Sequence, residues 1–168
     1  MTSSADIRLR ALEPEDLELV YRIENDPLFW RFGAATVPYS RYALRQFLST
    51  QQNDIFSDGQ VRLVIEQGST AVGFADLTNF DAVHLRAEIG LAILPDYQGQ
   101  HIGEAAVQAL CSYAHQLHIH QLYAIIATTN KAATRLFERL AFAPTATLKD
   151  WLRSDDGFTD AVVWQQTL

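Results

Sequence analysis

The chain of 168 residues carries a formal net charge of −7, with 48% hydrophobic and 20% charged side chains, a composition typical of one soluble globular domain over residues 1–168. The acidic balance argues against nucleic acid as a partner, because phosphate binding requires a surplus of Lys and Arg, and no apolar run approaches the ~20 residues that span a bilayer. Cys111 is the only cysteine, which excludes an internal disulfide, and the first residues lack the apolar stretch of a signal peptide. We therefore expect a cytoplasmic protein with no membrane partner.

The spacing of apolar residues predicts a sequence of alternating strands and helices. Pro14, Ser40 and Asn130 are placed to begin helices, while Gly68-Ser69 and Asp156-Gly157 are hairpin turns between apolar runs. The predicted elements are a strand at 7–12, helices at 15–25 and 41–52, strands at 61–66, 71–80 and 86–94, a helix at 102–117, a strand at 122–127, a helix at 131–142, and a last hairpin of strands 145–152 and 159–166.

This order predicts an α/β fold of the mixed α+β kind. Hairpins pair neighbouring strands antiparallel, whereas the strand-helix-strand unit around the helix at 102–117 should be a right-handed crossover to a parallel strand. We therefore expect a central, mostly antiparallel sheet with helices on both faces.

The turn YQGQHIG joins the strand at 86–94 to the following helix and contains no basic residue. The first turn of a helix has unpaired N–H groups and a partial positive charge, and glycines such as Gly99 and Gly103 let a ligand approach the backbone closely. The turn could thus hold a phosphate through main-chain donors alone, or it could serve only tight strand-to-helix packing. Glu104 after Gly103 excludes a Walker A loop, and the glycine spacing excludes the dinucleotide fingerprint.

Three segments taken together resemble the GNAT acyltransferase superfamily over roughly residues 61–166: the strand EIGLAIL, the turn YQGQHIGEA and TTNKAATRLFERLAF. The family pattern Q/R-x-x-G-x-G/A falls on Gln98, His101 and Gly103. The segment around the strand and turn is most similar to bacterial spermidine N-acetyltransferases and ribosomal-protein N-acetyltransferases. The second pattern, N-x-x-A-x-x-(L/I)-(Y/F)-x-x-L-(G/A)-F, falls on Asn130, Ala133, Leu136, Phe137, Leu140, Ala141 and Phe142.

The resemblance implies a GNAT fold that binds acetyl-CoA as cosubstrate. It assigns the backbone of Leu91, Ala92 and Ile93 to the pantetheine arm, with one N–H polarising the thioester carbonyl. Asn130 would contact the cosubstrate or a water near the sulfur, or act only as a helix cap. Lys131 and Arg135 would approach the ribose phosphate, or form a solvated face. The pyrophosphate is assigned to the amides of Gln98, Gly99, Gln100, His101, Ile102, Gly103 and Glu104.

Glu88 is the candidate general base, and with Asn130 it forms the predicted catalytic pair. Strand alternation places Glu88 and Gly90 on one face of the strand, and the resemblance places that strand along the pantetheine. The alternative is a salt bridge between Glu88 and Arg86. Phe137 stands where many members carry the tyrosine assigned as general acid, so that role is vacant or filled by another residue.

The acceptor is predicted to be a primary amine, either a polyamine such as spermidine or a protein N-terminus. Glu24, Trp30 and Asp76 are the candidate acceptor-binding residues, and a homo-oligomer is compatible with the sequence. A non-catalytic module that binds CoA or a small ligand is the alternative function. His115 and His118 share a helical face without a nearby Cys, Asp or Glu, so we expect no metal.

Overall fold

The structure is a computed structural model that describes residues 6–30 and 37–168, without the side chains of Leu28 and Trp30. Seven strands form one sheet in the order β1-β2-β3-β4-β5-β7-β6. The strands are β1 (Ile7–Ala11), β2 (Val61–Gln67), β3 (Thr70–Asp81), β4 (Arg86–Ile93), β5 (Gln121–Ala127), β6 (Ala143–Ser154) and β7 (Gly157–Thr167). The helices are α1 (Leu17–Glu24), α2 (Pro27–Trp30), α3 (Arg41–Thr50), α4 (Ile55–Asp58), α5 (Ile102–Gln116) and α6 (Lys131–Arg139).

The pairing confirms the predicted mixed sheet. β4 and β5 run parallel across the α5 crossover, while the other neighbouring strands pair antiparallel. The hairpins around Gly68-Ser69 and Asp156-Gly157 form as the turn residues predict. Among the described residues, no helix combines the length and apolar character needed to cross a membrane.

Helices cover both faces of the sheet, and alternation along the strands divides the core between them. Ile65 and Leu77 face α5, where Leu110 is fully buried. Val64 and Phe74 face the other way, against helices α1 and α3. Strands β2 and β3 therefore have buried residues on both faces. In the strand order, β4 follows β3 and is the central strand of the sheet.

The start of α1 and the end of α6 differ from the predicted helix boundaries. The first α-helix begins at Leu17 because residues 14–16 form a 3-10 turn, in which the Asp16 carboxylate accepts hydrogen bonds from Arg10 and from the Glu13 N–H. α6 ends at Arg139, before the predicted residue 142, and Ala141 adopts φ +62°. That left-handed conformation explains why glycine suits this position.

Gly73 allows β3 and β4 to approach closely. A Cβ at this position would lie 2.2 Å from the backbone oxygen of Ala92 and 3.0 Å from the Cα of Ile93. Because both contacts are backbone atoms, no side chain can turn aside to make room. Gly73 therefore fixes the end of β4 against the sheet.

We expect Gly73→Ala to lower the free energy of unfolding by about 1–3 kcal/mol, the usual cost of overpacking. Urea denaturation monitored by circular dichroism measures the change. Thr70→Ala, at an exposed position in the same strand, is the control and should stay within about 0.5 kcal/mol of wild type. Equal stability of the Gly73→Ala variant and wild type would show that β3 and β4 can separate without cost.

Candidate active site

The parallel ladder between β4 and β5 is short and leaves a cleft inside the sheet. It joins Arg86, Ala87 and Glu88 to residues 121–123 and then stops. β5 continues to Ala127 beside β7, so residues 89–93 of β4 have no strand partner on that side. Apart from the Ile93 oxygen, which accepts a hydrogen bond from the Gln98 side chain, their backbone groups on this edge are open to a ligand that can donate and accept hydrogen bonds. Leu91, Ala92 and Ile93, predicted to hold the pantetheine arm, lie here.

The turn before α5 presents a row of free amides at the open end of the cleft. No acceptor for the N–H groups of residues 99–104 lies within the described part of the chain. The first amide of this region to find a backbone partner is that of Ala105, which donates to the His101 oxygen at 3.2 Å. Two side chains stabilise the turn by hydrogen bonds to backbone oxygens. Gln98 donates to the Ile93 oxygen at 2.9 Å, and Gln100 donates to the Asp96 oxygen at 3.0 Å. A helix N-terminus with several free donors is suited to bind an anion.

His101 precedes α5 in a left-handed conformation, with φ +61°. Gly99 in the same turn has φ +75°. The His101 imidazole points outward rather than into the turn, with 73% of its side chain exposed, and its Nδ1 lies 3.5 Å from Glu104. The same Glu104 oxygen is 3.5 Å from Nε of Arg139, so a cation offsets the carboxylate beside the free amides.

Gly103 connects the turn to the cleft. A Cβ there would stand 3.4 Å from Leu91 and Ile93 of β4 and equally close to Leu136 of α6. The glycine thus permits tight packing, as the alternative interpretation required, and it does so while its own N–H stays free.

The candidate residues of α6 have different surroundings. The Asn130 side chain accepts a hydrogen bond from the Ala133 N–H at 3.1 Å, which makes it the cap of α6. Lys131 and Arg135 are exposed and form no ion pair within the described residues. Phe137 is only 4% exposed and packs edge-on against Phe142 at 4.9 Å between ring centroids.

Glu88 lies at the closed end of the cleft, on the last residue pair before the strands diverge. Its carboxylate accepts a hydrogen bond from Asn79 at 2.7 Å. Arg86 is 3.1 Å from Asp81 instead, so the salt bridge between Arg86 and Glu88 offered as the alternative does not form. The register partner of Glu88 in β5 is Tyr123.

A cavity of about 260 Å³ lies on the face covered by α1 and α3. Thr78, which lines it, is the register partner of Glu88 in β3. The cavity lining combines apolar and polar side chains. Its lining residues include Val20, Leu44, Phe47 and Val61, with Glu24, Gln51, Asp58, Arg62, Asp76 and Thr78 as polar members.

Arg62 brings two of the predicted acceptor-binding residues together. Its Nη2 lies 2.8 Å from Asp76, and Nη1 contacts Glu24, with the three side chains 24%, 16% and 25% exposed. Burial raises the pKa of Asp76 and the positive charge of Arg62 opposes that rise. The two carboxylates raise the pKa of Arg62 against its own burial, so the guanidinium stays charged. The third predicted residue, Trp30, ends α2, and its side chain lies outside the described part of the structure.

Sequence reasoning missed Arg62 and Asn79. Arg62 had a detectable signal, since a charged residue between the apolar Val61 and Leu63 must find a buried partner. Asn79 had none, because only the bulged register between Thr78 and Asp81 brings it beside Glu88. Among residues 6–30 and 37–168, no group of three His, Cys, Asp or Glu side chains could hold a metal ion.

The open β4 edge, the adjoining free amides and the carboxylate at the closed end are features of an acyltransferase that uses a coenzyme A thioester. Residues 6–143 match the family model described as Acetyltransferase (GNAT) domain. The chain therefore belongs to the GNAT acetyltransferase family, and it is an acetyl-CoA-dependent N-acetyltransferase.

Curated relatives agree with this assignment, and a solved structure shares the fold. Spermidine N(1)-acetyltransferase of Escherichia coli strain K12 is 28% identical over 144 residues, covering 85% of this chain and 76% of the relative. The putative ribosomal N-acetyltransferase YdaF of Bacillus subtilis is 29% identical over 153 residues, or 87% and 82% of the two chains. The crystal structure of Vibrio cholerae spermidine N-acetyltransferase in complex with CoA and spermine shares the fold with a TM-score of 0.85 at 22% identity, covering 97% and 96%.

The left-handed conformation of His101 leads to a matched pair of variants. We expect His101→Gly to bind CoA at least as tightly as wild type, because glycine adopts positive φ without strain. His101→Val should bind roughly tenfold more weakly, since a β-branched residue resists this conformation and the left-handed region costs about 1–2 kcal/mol. Isothermal titration calorimetry measures both affinities. Equal binding by the two variants would show that the turn needs no left-handed residue.

Proposed function

We propose that the protein transfers the acetyl group of acetyl-CoA to a primary amine of a small polycation of the spermidine type. The observation that carries the proposal is the cavity lined by Thr78, the register partner of Glu88. The polar residues of this lining include more carboxylates than cations. Glu24, Asp58 and Asp76 line it against the single guanidinium of Arg62. Spermidine N-acetyltransferases among the relatives support the same acceptor class.

Acetyl-CoA would lie along the open edge of β4. The free amides of Gly99 through Glu104 would hold the pyrophosphate, whereas the predicted Gln98 N–H already donates to the Pro95 oxygen at 3.2 Å. The backbone of Leu91, Ala92 and Ile93 would bind the pantetheine arm. Residues 88–93 of a strand span roughly 16 Å, a length comparable to the extended arm, which places the thioester near Glu88. Lys131 and Arg135 would approach the ribose phosphate from α6, where Asn130 serves as the cap.

Gln51 supplies a second polar contact for the acceptor. Its Oε1 atom is buried in the cavity lining and accepts no hydrogen bond from the described residues. A buried acceptor without a donor costs about 1–3 kcal/mol, and an ammonium or secondary amine of a polyamine would satisfy it. The apolar side chains around it, Leu44 and Phe47, suit the methylene segments between the nitrogens.

Glu88 would remove the proton that keeps the amine from attacking. An alkyl amine with a pKa near ~10.4 is only about 0.04% neutral at pH 7, so deprotonation costs roughly 4.6 kcal/mol. The carboxylate lies at the junction of cleft and cavity, oriented by Asn79. A base held at the point where the two substrates meet offsets part of this cost.

Glu88→Gln removes the base and keeps the shape of the side chain. We expect turnover to fall about 10²-fold or more, with the affinity for acetyl-CoA changed less than about twofold because Glu88 faces the acceptor side. Initial rates of thiol release and calorimetry separate the two quantities. Glu138→Gln, an exposed position in α6, is the matched control. Unaltered turnover of the Glu88→Gln variant would remove Glu88 from the role.

An acceptor panel tests the polycation assignment. We expect thiol release from acetyl-CoA with spermidine to exceed that with an N-terminal peptide by at least tenfold in kcat/KM, because the peptide offers one cation to a cavity with several carboxylates. A monoamine of the same length is the control for chain length. A preference for the peptide would reject the polyamine. Binding of acetyl-CoA without thiol release from any amine would leave a non-catalytic binding module instead.

A further inference from the structure

Helix α6 does not supply a proton donor for the leaving thiolate. Phe137 has no hydroxyl, and its ring is buried in the core against Phe142. A thiolate can leave unassisted, since a free thiol has a pKa near ~8.5, and a donor positioned at the sulfur lowers the barrier further. Such a donor must come from another element that borders the cleft.

Tyr123 is a phenol at the closed end of that cleft. It forms the last residue pair of the β4–β5 ladder, opposite Glu88. Paired residues of neighbouring strands project to the same face of a sheet, so Tyr123 shares the acceptor face with Glu88. Its neighbours Leu122 and Ala124 are buried on the opposite face, and Tyr123 itself is half-buried. Beyond this pair the two strands separate.

We propose that Tyr123 donates its phenolic proton to the sulfur of coenzyme A as the thioester C–S bond breaks. The inference rests on the acetyl transfer proposed above, with Glu88 as base. The position satisfies the one geometric demand on such a donor: it lies where a thioester whose pyrophosphate sits at the α5 turn would end.

The protonation state of Tyr123 suits a donor. Burial raises the pKa of Tyr123, and the negative charge of Glu88 raises it further. The phenol therefore keeps its proton at neutral pH, where the enzyme must deliver it. Tyr123 therefore holds the proton that the proposed step requires.

The proton transfers balance over one turnover. Glu88 first passes the extra proton of the ammonium to solvent and is ionised again; the neutral amine then forms the new C–N bond, and its surplus proton passes to the Glu88 carboxylate. The electron pair of the C–S bond leaves on sulfur, which takes the proton of Tyr123. Glu88 then returns its proton to the Tyr123 phenolate. The products are an amide and a free thiol, and both side chains regain their starting states.

The test compares two leaving groups in the Tyr123→Phe variant. With acetyl-CoA we expect turnover to fall about 10²-fold, the usual contribution of one acid–base group, with unchanged calorimetric affinity for CoA. With the acetyl selenoester of the selenium analogue of coenzyme A, the loss should shrink to a few-fold, because a selenolate leaves without protonation. Any amine that the wild-type protein acetylates serves as acceptor, and slow hydrolysis of the thioester serves if none in the panel does.

Two further tyrosines make the outcome decisive. Tyr113→Phe in α5 is the control, since Tyr113 is also half-buried with a pKa raised by burial but packs away from the cleft. Tyr97→Phe tests the other phenol near the end of β4.

An equal loss of turnover with the thioester and the selenoester in the Tyr123→Phe variant would mean that Tyr123 has a structural role only. A selenoester-sensitive loss in Tyr97→Phe instead of Tyr123→Phe would overturn the assignment. Failure of Glu88→Gln to reduce turnover would count against the base and leave the thiolate test intact.

Discussion

The divergence of β4 and β5 after three residue pairs is the constraint on which the rest of the structure depends. A strand inside a sheet normally satisfies its backbone groups on both sides, and a buried unpaired group costs free energy. Here residues 89–93 retain open donors and acceptors on one side, and Gly73 holds them in place from the other. The sheet thus keeps a site for an extended ligand rich in amides, and the pantetheine arm is such a ligand.

One strand separates the two substrate sites because its side chains alternate. Leu91 and Ile93 project toward Gly103, where they support the turn of free amides. Glu88 and Gly90 project toward α1 and α3, where Gly90 leaves space for the Asp76 side chain, whose Cβ would be 3.3 Å from an added methyl. The donor and acceptor sites therefore meet at a single position, Glu88, where the cleft closes and the cavity begins.

The sequence predicted the seven strands, the four longer helices, their order and the alternation of β4, because these depend on local spacing, but it did not predict the one-turn helices α2 and α4. It did not predict the Arg62 ion pairs. A hairpin centred on Gly68-Ser69 with continuous pairing would set Arg62 opposite Ala75, on the wrong face. A bulge near Ile65 shifts the register so that Arg62 pairs with Asp76. The early end of the β4–β5 ladder was equally hidden, since no residue in either strand marks where two parallel strands separate.

Arg62 explains how the protein can hold the carboxylates of Glu24 and Asp76 close together in the cavity lining. Two carboxylates held this close would repel each other, and burial already raises the pKa of Asp76. The guanidinium satisfies both, and its face lies 4.8 Å from the centre of the Phe74 ring, which shields it from solvent. An arriving ammonium then joins a cluster that already holds one positive charge. Three carboxylates and one guanidinium leave the cavity with an excess of negative charge, and the positions of the acceptor nitrogens relative to Glu24, Gln51 and Asp76 would then set how tightly a polycation binds.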